Sequence, residues 1–486
     1  MRLVIIGGGY SGVSMAVQAA RRASRALDIR VVEPARALGR GPAYGTTDPD
    51  HRINGPMAGH SVDLNDLEHP HAWVERVGLR ADDPALEAPE GLFPRRRDFA
   101  RYLADSFADH ARSNPSGSTL THVRDRVVDI LTDPCDPSSP GGLQLVLGDG
   151  GRLAADALVL ATGNPPARVP AAVAGLVDHP AVIADPWQAG RIAGIDPRAR
   201  VIIMGTGLTA ADVLATLVRQ GHHGPIEAFS RRALRPREQR PVEPVPNDLP
   251  PTWLIDRING AVPDFLAVDA DRARSMRGLT RALRERIAQI RAQGRSWQVG
   301  FDELRDVVWQ IWPQLPVREQ RRFLTRLRPW YDVHRFRMAP QTTALIEPAV
   351  AAGQIRFRAA HLESVSAGDA TSGSLWVRTR DRHGARDSRQ CEAFINCTGL
   401  DIGGSPGPGT LMARLLARAW LTPDPSGVGY VVDDQNRIIP SGIRLPQDIR
   451  LIGPPTAGHF GDPLGVLFIA AQIHRLLPGL LHQLRA

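Results

Sequence analysis

The stretch VIIMGTGLTAADVLATL, residues 201–217, reads as an apolar strand, a glycine turn and a helix. A four-residue apolar run closed by glycines is how a parallel strand meets the helix that crosses back over its sheet. The chain makes the same move at its start, in RLVIIGGGYSGVSMAVQAA, residues 2–20. The two stretches predict two strand–turn–helix units in one chain. They differ at the ends of their second strands, and that difference carries the functional reading.

In the first unit, Gly7, Gly9 and Gly12 fit G-x-G-x-x-G. One glycine permits the tight turn, the second lets backbone approach a pyrophosphate, and the third lets helix and strand pack closely. The helix start then offers free N–H groups and the positive end of a dipole to phosphate. A second strand at 29–32 ends in Glu33, placed to accept hydrogen bonds from a ribose hydroxyl. In the second unit, Gly205 and Gly207 belong to the G-x-G-x-x-A variant, closed by Ala210. Its second strand, 226–229, ends in Ser230, Arg231 and Arg232 rather than an acid. A carboxylate there would repel a 2′-phosphate, whereas a hydroxyl and guanidinium groups would bind one. The first site therefore suits FAD and the second NADPH. The alternative for Arg231 and Arg232 is plain surface charge.

Composition narrows the chemistry. At 486 residues the chain is too long for one core, and 43% hydrophobic with 23% charged residues is ordinary for globular domains. No lysine occurs, so all 59 basic residues counted as Lys+Arg are arginine. That excludes a Schiff-base lysine and a complete P-loop. Cys135, Cys391 and Cys397 stand far from CxxC spacing, which argues against a structural zinc site or a redox disulfide, so no metal is expected. A net charge of +8 is modest at this length, and Arg95–Arg97 lacks aromatic interleaving. No nucleic-acid partner is expected, and the arginine triplet reads as solvated or cofactor-facing. No apolar run reaches membrane-spanning length and the start carries no cleavage pattern, so the expectation is a cytoplasmic protein without a membrane partner.

The expected architecture is α/β, with two Rossmann-like dinucleotide-binding domains, for FAD and NADPH, and a helical insertion in the second. Residues 1–190 are read as the first part of the FAD domain, 191–390 as the NADPH domain and 391–486 as a return segment to the FAD domain. The insertion spans about 236–340. There Met276, Leu279, Leu283, Ile287 and Ile290 form one helical stripe, and Phe301, Leu304, Val308 and Ile311 another.

Two glycine turns, the first with an acid and the second with arginines, together with strand ends ATG (161–163) and CTG (397–399), resemble the flavoproteins with two dinucleotide-binding domains. More closely, the chain is similar to the bacterial FAD-NAD(P)-binding family, related to class B and N-hydroxylating flavoprotein monooxygenases. That likeness rests on GRGPAYGTTDPDHRINGP (39–56), FPRRRDFARYL (93–103), DPW (185–187), RRFLTRLRPWYDVHRFRMAP (321–340) and INCTGL (395–400). The resemblance implies FAD held through Gly7, Gly9, Ser11, Gly12 and Glu33, with the loop 41–54, including Gly45, near the flavin. It also implies a backbone contact from Val127 to adenine, and cofactor contacts at Thr162, Gly163 and Gly399. Candidates at the reacting centre are Asn54, His60 and Arg335, with Asp462 at the expected start of the C-terminal helix.

The chain departs from the lysine-using ornithine and lysine N-hydroxylases, having no lysine, and from the FxGxxxHxxxW fingerprint of Baeyer–Villiger enzymes. The function expected is an NADPH-dependent FAD monooxygenase. It would use a flavin C4a-(hydro)peroxide on a small polar, acidic or amino-acid substrate, with N-hydroxylation as one outcome. Two alternatives stand beside it: an NADPH:flavin oxidoreductase without oxygen insertion, and a non-catalytic flavin-binding redox sensor. The sequence gives no sign of oligomeric state.

Overall fold

The computed structural model describes all residues except 133–141, 164, 166, 189, 242–248, 251, 268–274, 369–372, 400–402, 404, 405, 446, 463 and 486. Cys135, parts of the expected linkers and Leu400 of the INCTGL stretch lie outside the described residues.

The strand Arg2–Ile6 sits at the centre of a five-stranded parallel sheet, with Leu3, Val4 and Ile5 fully buried. Its neighbours are Asp28–Val32 on one side and Ala157–Leu160 on the other, flanked in turn by Thr119–Val123 and Ile449–Leu451. Continuous apolar strands of this kind require cover on both faces. On one face helix Tyr10–Arg22 and the C-terminal helix Val466–Gln483 bury Val13, Val17, Ile473 and Leu477 in a common core. The second sheet repeats the plan. Val201–Met204 lies between Ile226–Ser230 and Ala393–Asn396, flanked by Ile355–Ala359 and Val182–Ile183, all parallel. In each unit the strand farthest out leads into a three-stranded antiparallel sheet, which returns the chain to the strand beside the centre.

The sheets move the expected domain divisions. Ala393–Asn396, assigned from sequence to the FAD return segment, pairs with the second unit's first strand in the register Val201↔Ala393 to Met204↔Asn396. Val182–Ile183, placed before the 190 division, pairs with the same strand Ala393–Asn396. A four-residue apolar strand carries no local mark of the sheet that will take it. Between Val32 and Thr119 the longer helices are His69–Arg76 and Arg96–Arg112.

The insertion is helical, as its stripes predict, with Met276–Ala292 and Gln298–Ile311 packed on each other. Although it interrupts the second unit in sequence, it docks on the first. Leu254, Ile255 and Ile258 of helix Trp253–Asn259 belong to the first unit's core. Trp312 Nε1 donates to the Gly458 carbonyl at 2.7 Å, and the Arg475 guanidinium stacks 3.9 Å over the Trp309 ring.

Candidate dinucleotide and active site

A cavity of about 1260 Å³ opens where the two glycine turns face each other, lined by Gly7–Ser11 and Met204–Thr209. The glycines divide into two kinds. Gly7 and Gly205 have φ of +106° and +118°, and a Cβ on either would drive into a carbonyl oxygen, of Ala161 and Cys397 respectively. The backbone alone demands glycine at these two turns. A Cβ on Gly12 would strike the Gly7 carbonyl, the close helix–strand approach expected of a third glycine. Gly9 and Gly207 differ. The nearest atom to a Cβ on Gly9 is Gly41 Cα at 3.8 Å, and Gly207 has none within 4 Å. The protein has room for a side chain at both positions, so the small residue serves whatever lies against the turn. Thr162 adds a second sign: its Oγ1 is buried in the same wall without a hydrogen-bond partner among the described residues. The residues present therefore fit a pyrophosphate-containing ligand at each turn.

Glu33 reaches the cavity and also braces its own turn. Its carboxylate accepts from the Gly8 amide at 2.9 Å and from the Ala35 amide at 3.1 Å, one bond on each oxygen. A carboxylate has about four lone-pair positions, so acceptor capacity for a ribose hydroxyl remains. At the second turn the expected division of labour changes. Thr206 Oγ1 donates to the Leu234 carbonyl at 2.6 Å, so the 2.8 Å contact between Ser230 and Thr206 places the Ser230 proton on Thr206. Ser230 is thereby taken up in holding the loop rather than offered as a donor. Arg231 and Arg232 line the cavity exposed and without an ion-pair partner among the described residues. The nearby Glu363, also in the wall, is paired with Arg380 at 3.2 Å and Arg386 at 3.1 Å.

The insertion closes the cavity with Leu324, Arg328, Pro329, Asp332, Val333 and Phe336. Arg328 Nε lies 3.2 Å from Asp332 Oδ2. Burial raises the Asp332 carboxyl to about 6 against the pull of Arg328. Behind this wall Asp462 accepts from Arg335 at 2.9 Å and Tyr331 at 3.2 Å, while Phe336 and Phe468 stack on the Arg335 guanidinium.

Several sequence candidates take other places. Arg335 and Asp462 form this buried ion pair and are not among the cavity-lining residues; the C-terminal helix begins at Val466, beyond Asp462. His60 holds its Nδ1 on the Pro56 carbonyl at 2.9 Å and packs on Phe99. Burial lowers its pKa to about 4, so the ring is neutral and structural. The Asn54 carbonyl accepts from Gln239, and Gly45 ends the short helix Gly41–Tyr44 just outside the wall. Val127 is buried at the start of the first antiparallel sheet, out of the lining. Ser11, Thr162, Gly163 and Gly399 do line the cavity. Among the described residues no cluster has the donors of a metal site, and no helix is long and apolar enough to cross a membrane.

Within the arginine triplet Arg97 is exposed, while Arg95 and Arg96 are half-buried. Arg95 pairs with Asp98 and Asp83, and Arg97 donates to the Thr47 carbonyl. Arg96 spans the two units, its Nη2 2.7 Å from Asp212 Oδ2 on helix Leu208–Arg219 of the second unit, with Trp187 against its guanidinium. The loop 46–54 completes this clamp. Asp48 accepts from Thr216 at 2.9 Å and Arg219 at 2.8 Å, Arg219 also pairs with Asp50, and His51 Nε2 lies 2.9 Å from Thr216 Oγ1. Because the Thr216 proton goes to Asp48, His51 donates from Nε2. These residues lay in stretches singled out from sequence, but nothing local marked them as partners.

Residues 4–165 match a protein family described as FAD-NAD(P)-binding. No curated protein matches the chain. Among solved structures, ornithine hydroxylase from Pseudomonas aeruginosa in its reduced form aligns over 99% of both chains at 17% identity, with a TM-score of 0.61. L-lysine 6-monooxygenase from Pseudomonas syringae aligns over 99% of both at 15% identity, TM-score 0.63. Ornithine N-hydroxylase from Kutzneria sp. 744, with reduced FAD, NADP+ and L-ornithine, aligns over 100% of this chain and 99% of its own at 15% identity, TM-score 0.62. At these identities the likeness establishes the two-unit α/β fold.

Proposed function

We propose that the chain is an NADPH-dependent flavoprotein monooxygenase that holds FAD at the first glycine turn and receives NADPH at the second. The observation that carries this reading is the single cavity joining two turns of opposite chemistry, with Glu33 on one side and Arg231 and Arg232 on the other. FAD would supply the redox and oxygen chemistry, and NADPH the two electrons. The protein's own part is positional. Gly9 and Gly207 let backbone approach the two pyrophosphates, and the helix starts at Tyr10 and Leu208 present free N–H groups to them. Arg231 and Arg232 take the 2′-phosphate. The clamp through Arg96 and Asp212 holds the two turns facing each other. The insertion wall excludes water and carries Arg328 and Asp332 toward the substrate.

The solved relatives are named for hydroxylating ornithine and lysine. Together with Arg328 and Asp332 on the insertion wall, they support a small amino compound as substrate. In the overall reaction one atom of O₂ enters the substrate nitrogen and the other leaves as water, while NADPH and a proton become NADP+.

The test begins with the purified protein. It should carry FAD by absorbance and oxidise NADPH faster than NADH. With amino acids and diamines screened in turn, NADPH consumed should be matched by hydroxylated amine. Rapid NADPH oxidation with an artificial electron acceptor, and no oxygenated product from any amine, would move the reading to the oxidoreductase. Failure to bind FAD on reconstitution would remove both.

A further inference from the structure

A second concavity, of about 400 Å³, lies in the insertion between helix Met276–Ala292 and the helical run that begins at Val317. Arg277, Arg281 and Arg284 enter it from the first wall, and Arg322 and Arg326 from the second. The spacing is helical on both sides. Residues 277, 281 and 284, like 322 and 326, fall on one face of their helix, so the guanidinium groups point across a shared gap. Met276, Leu327 and Thr280 form the rest of the lining.

The charge is not balanced from within. Glu285 is the one carboxylate among the lining residues. Arg277, Arg281, Arg284 and Arg326 have no ion-pair partner among the described residues, and Arg322 has only Glu319 at 3.8 Å. By contrast Arg286, on the same helix, makes a two-point contact with Glu303 at 2.7 and 2.8 Å. Like charges one turn apart destabilise a helix, and a fold gains nothing by facing two such rows at each other. A planar fork of donors matches the oxygens of phosphate and carboxylate in pairs. The volume is that of a small-molecule site rather than a flat macromolecular surface.

We propose that this groove binds a small, multiply charged anion carrying two or more phosphate or carboxylate groups. The two arginine rows grip separate anionic groups of one molecule. The site is distinct from the dinucleotide cavity, although the same helical run contributes Leu324 and Arg328 to that cavity's wall.

The test is calorimetric titration of the full chain at about physiological salt with tripolyphosphate, pyrophosphate and citrate, and with orthophosphate and acetate as single-group controls. Tripolyphosphate or citrate should bind at least about tenfold more tightly than the controls. Because phosphates can also enter the cavity through Arg231 and Arg232, two paired variants separate the sites. Arg281→Ser with Arg326→Ser should weaken binding by about tenfold or more. Arg231→Ala with Arg232→Ala should leave it in place. All four side chains are exposed, and a thermal melt confirms that each variant is folded. Equal affinity for single-group and multi-group anions overturns the proposal. So does binding that survives the groove variant but is lost in the cavity variant. Groove-dependent binding of an oligonucleotide or an anionic vesicle, with no small anion bound, also overturns it.

Discussion

Removing Arg96 should loosen the joint between the two units, and the loss should depend on pH in a defined direction. The Arg96 and Asp212 side chains are 13% and 6% exposed and meet at 2.7 Å. Breaking one side of a buried ion pair costs about 3–5 kcal/mol, because the remaining charge has neither water nor partner. Burial raises the Asp212 carboxyl above its ordinary range, with Arg96 the largest opposing influence. A carboxyl raised on folding contributes its stability in full below its unfolded pKa and loses it as pH rises through the folded value. Arg96→Ala raises that folded value further. The variant should therefore lose about 3 kcal/mol near pH 8, and clearly less near pH 5, where Asp212 can take up a proton. Part of the loss is independent of pH, since Arg96 also donates to the Arg52 carbonyl at 3.0 Å. Adding Asp212→Asn removes the orphaned charge and should recover about 1–2 kcal/mol near pH 8, with little change near pH 5. Urea unfolding followed by tryptophan fluorescence at both pH values reads this, because Trp187 sits against the Arg96 guanidinium. Equal destabilisation at the two pH values, or no rescue by Asp212→Asn, would refute the reasoning.

Further outcomes follow from the same geometry. Gly207→Ala meets no atom within 4 Å, so its melting temperature should match wild type while its KM for NADPH rises about tenfold or more; Gly205→Ala, driven into the Cys397 carbonyl, should fail to give folded protein. Arg231→Ala with Arg232→Ala should weaken NADPH by about ten- to a hundredfold and leave NADH unchanged in steady-state kinetics, as expected for the loss of charge-assisted contacts to one phosphate. Trp312→Phe keeps a ring but strands the buried Gly458 carbonyl, and should cost about 1–2 kcal/mol in a denaturant melt without changing FAD content.

What could be read from sequence is local. The strand–glycine–helix units, Glu33 and Arg231–Arg232 lie within one supersecondary element each, where period and turn chemistry announce themselves. The helices of the insertion were visible for the same reason, through the stripe from Met276 to Ile290. The rest depends on distant partners. Ala393–Asn396 belongs to the second sheet only because Val201–Met204 offers it an edge. Asp462 looked like the start of a helix facing a cofactor, but Arg335, on the insertion, holds it in an ion pair instead. His60 looked reactive until burial removed its charge. Ser230 looked like a phosphate donor, yet its proton belongs to Thr206 because Thr206 has already spent its own on Leu234. In each case the side chain's task is set by a neighbour that sequence spacing does not reveal.

The docking of the insertion has a consequence for anyone who would recombine this protein. Residues 253–259 help build the first unit's interior although the insertion that carries them interrupts the second unit in sequence. The helix that starts at the second glycine turn carries Thr216 and Arg219 onto the loop 46–54 and Asp212 onto Arg96. The second unit is thus no interchangeable cassette. A chimera cut at its sheet boundaries would arrive with an open seam in the acceptor's core and three mismatched polar contacts. A graft would have to travel with the insertion through Arg335, and with Arg96 and loop 46–54 matched to it.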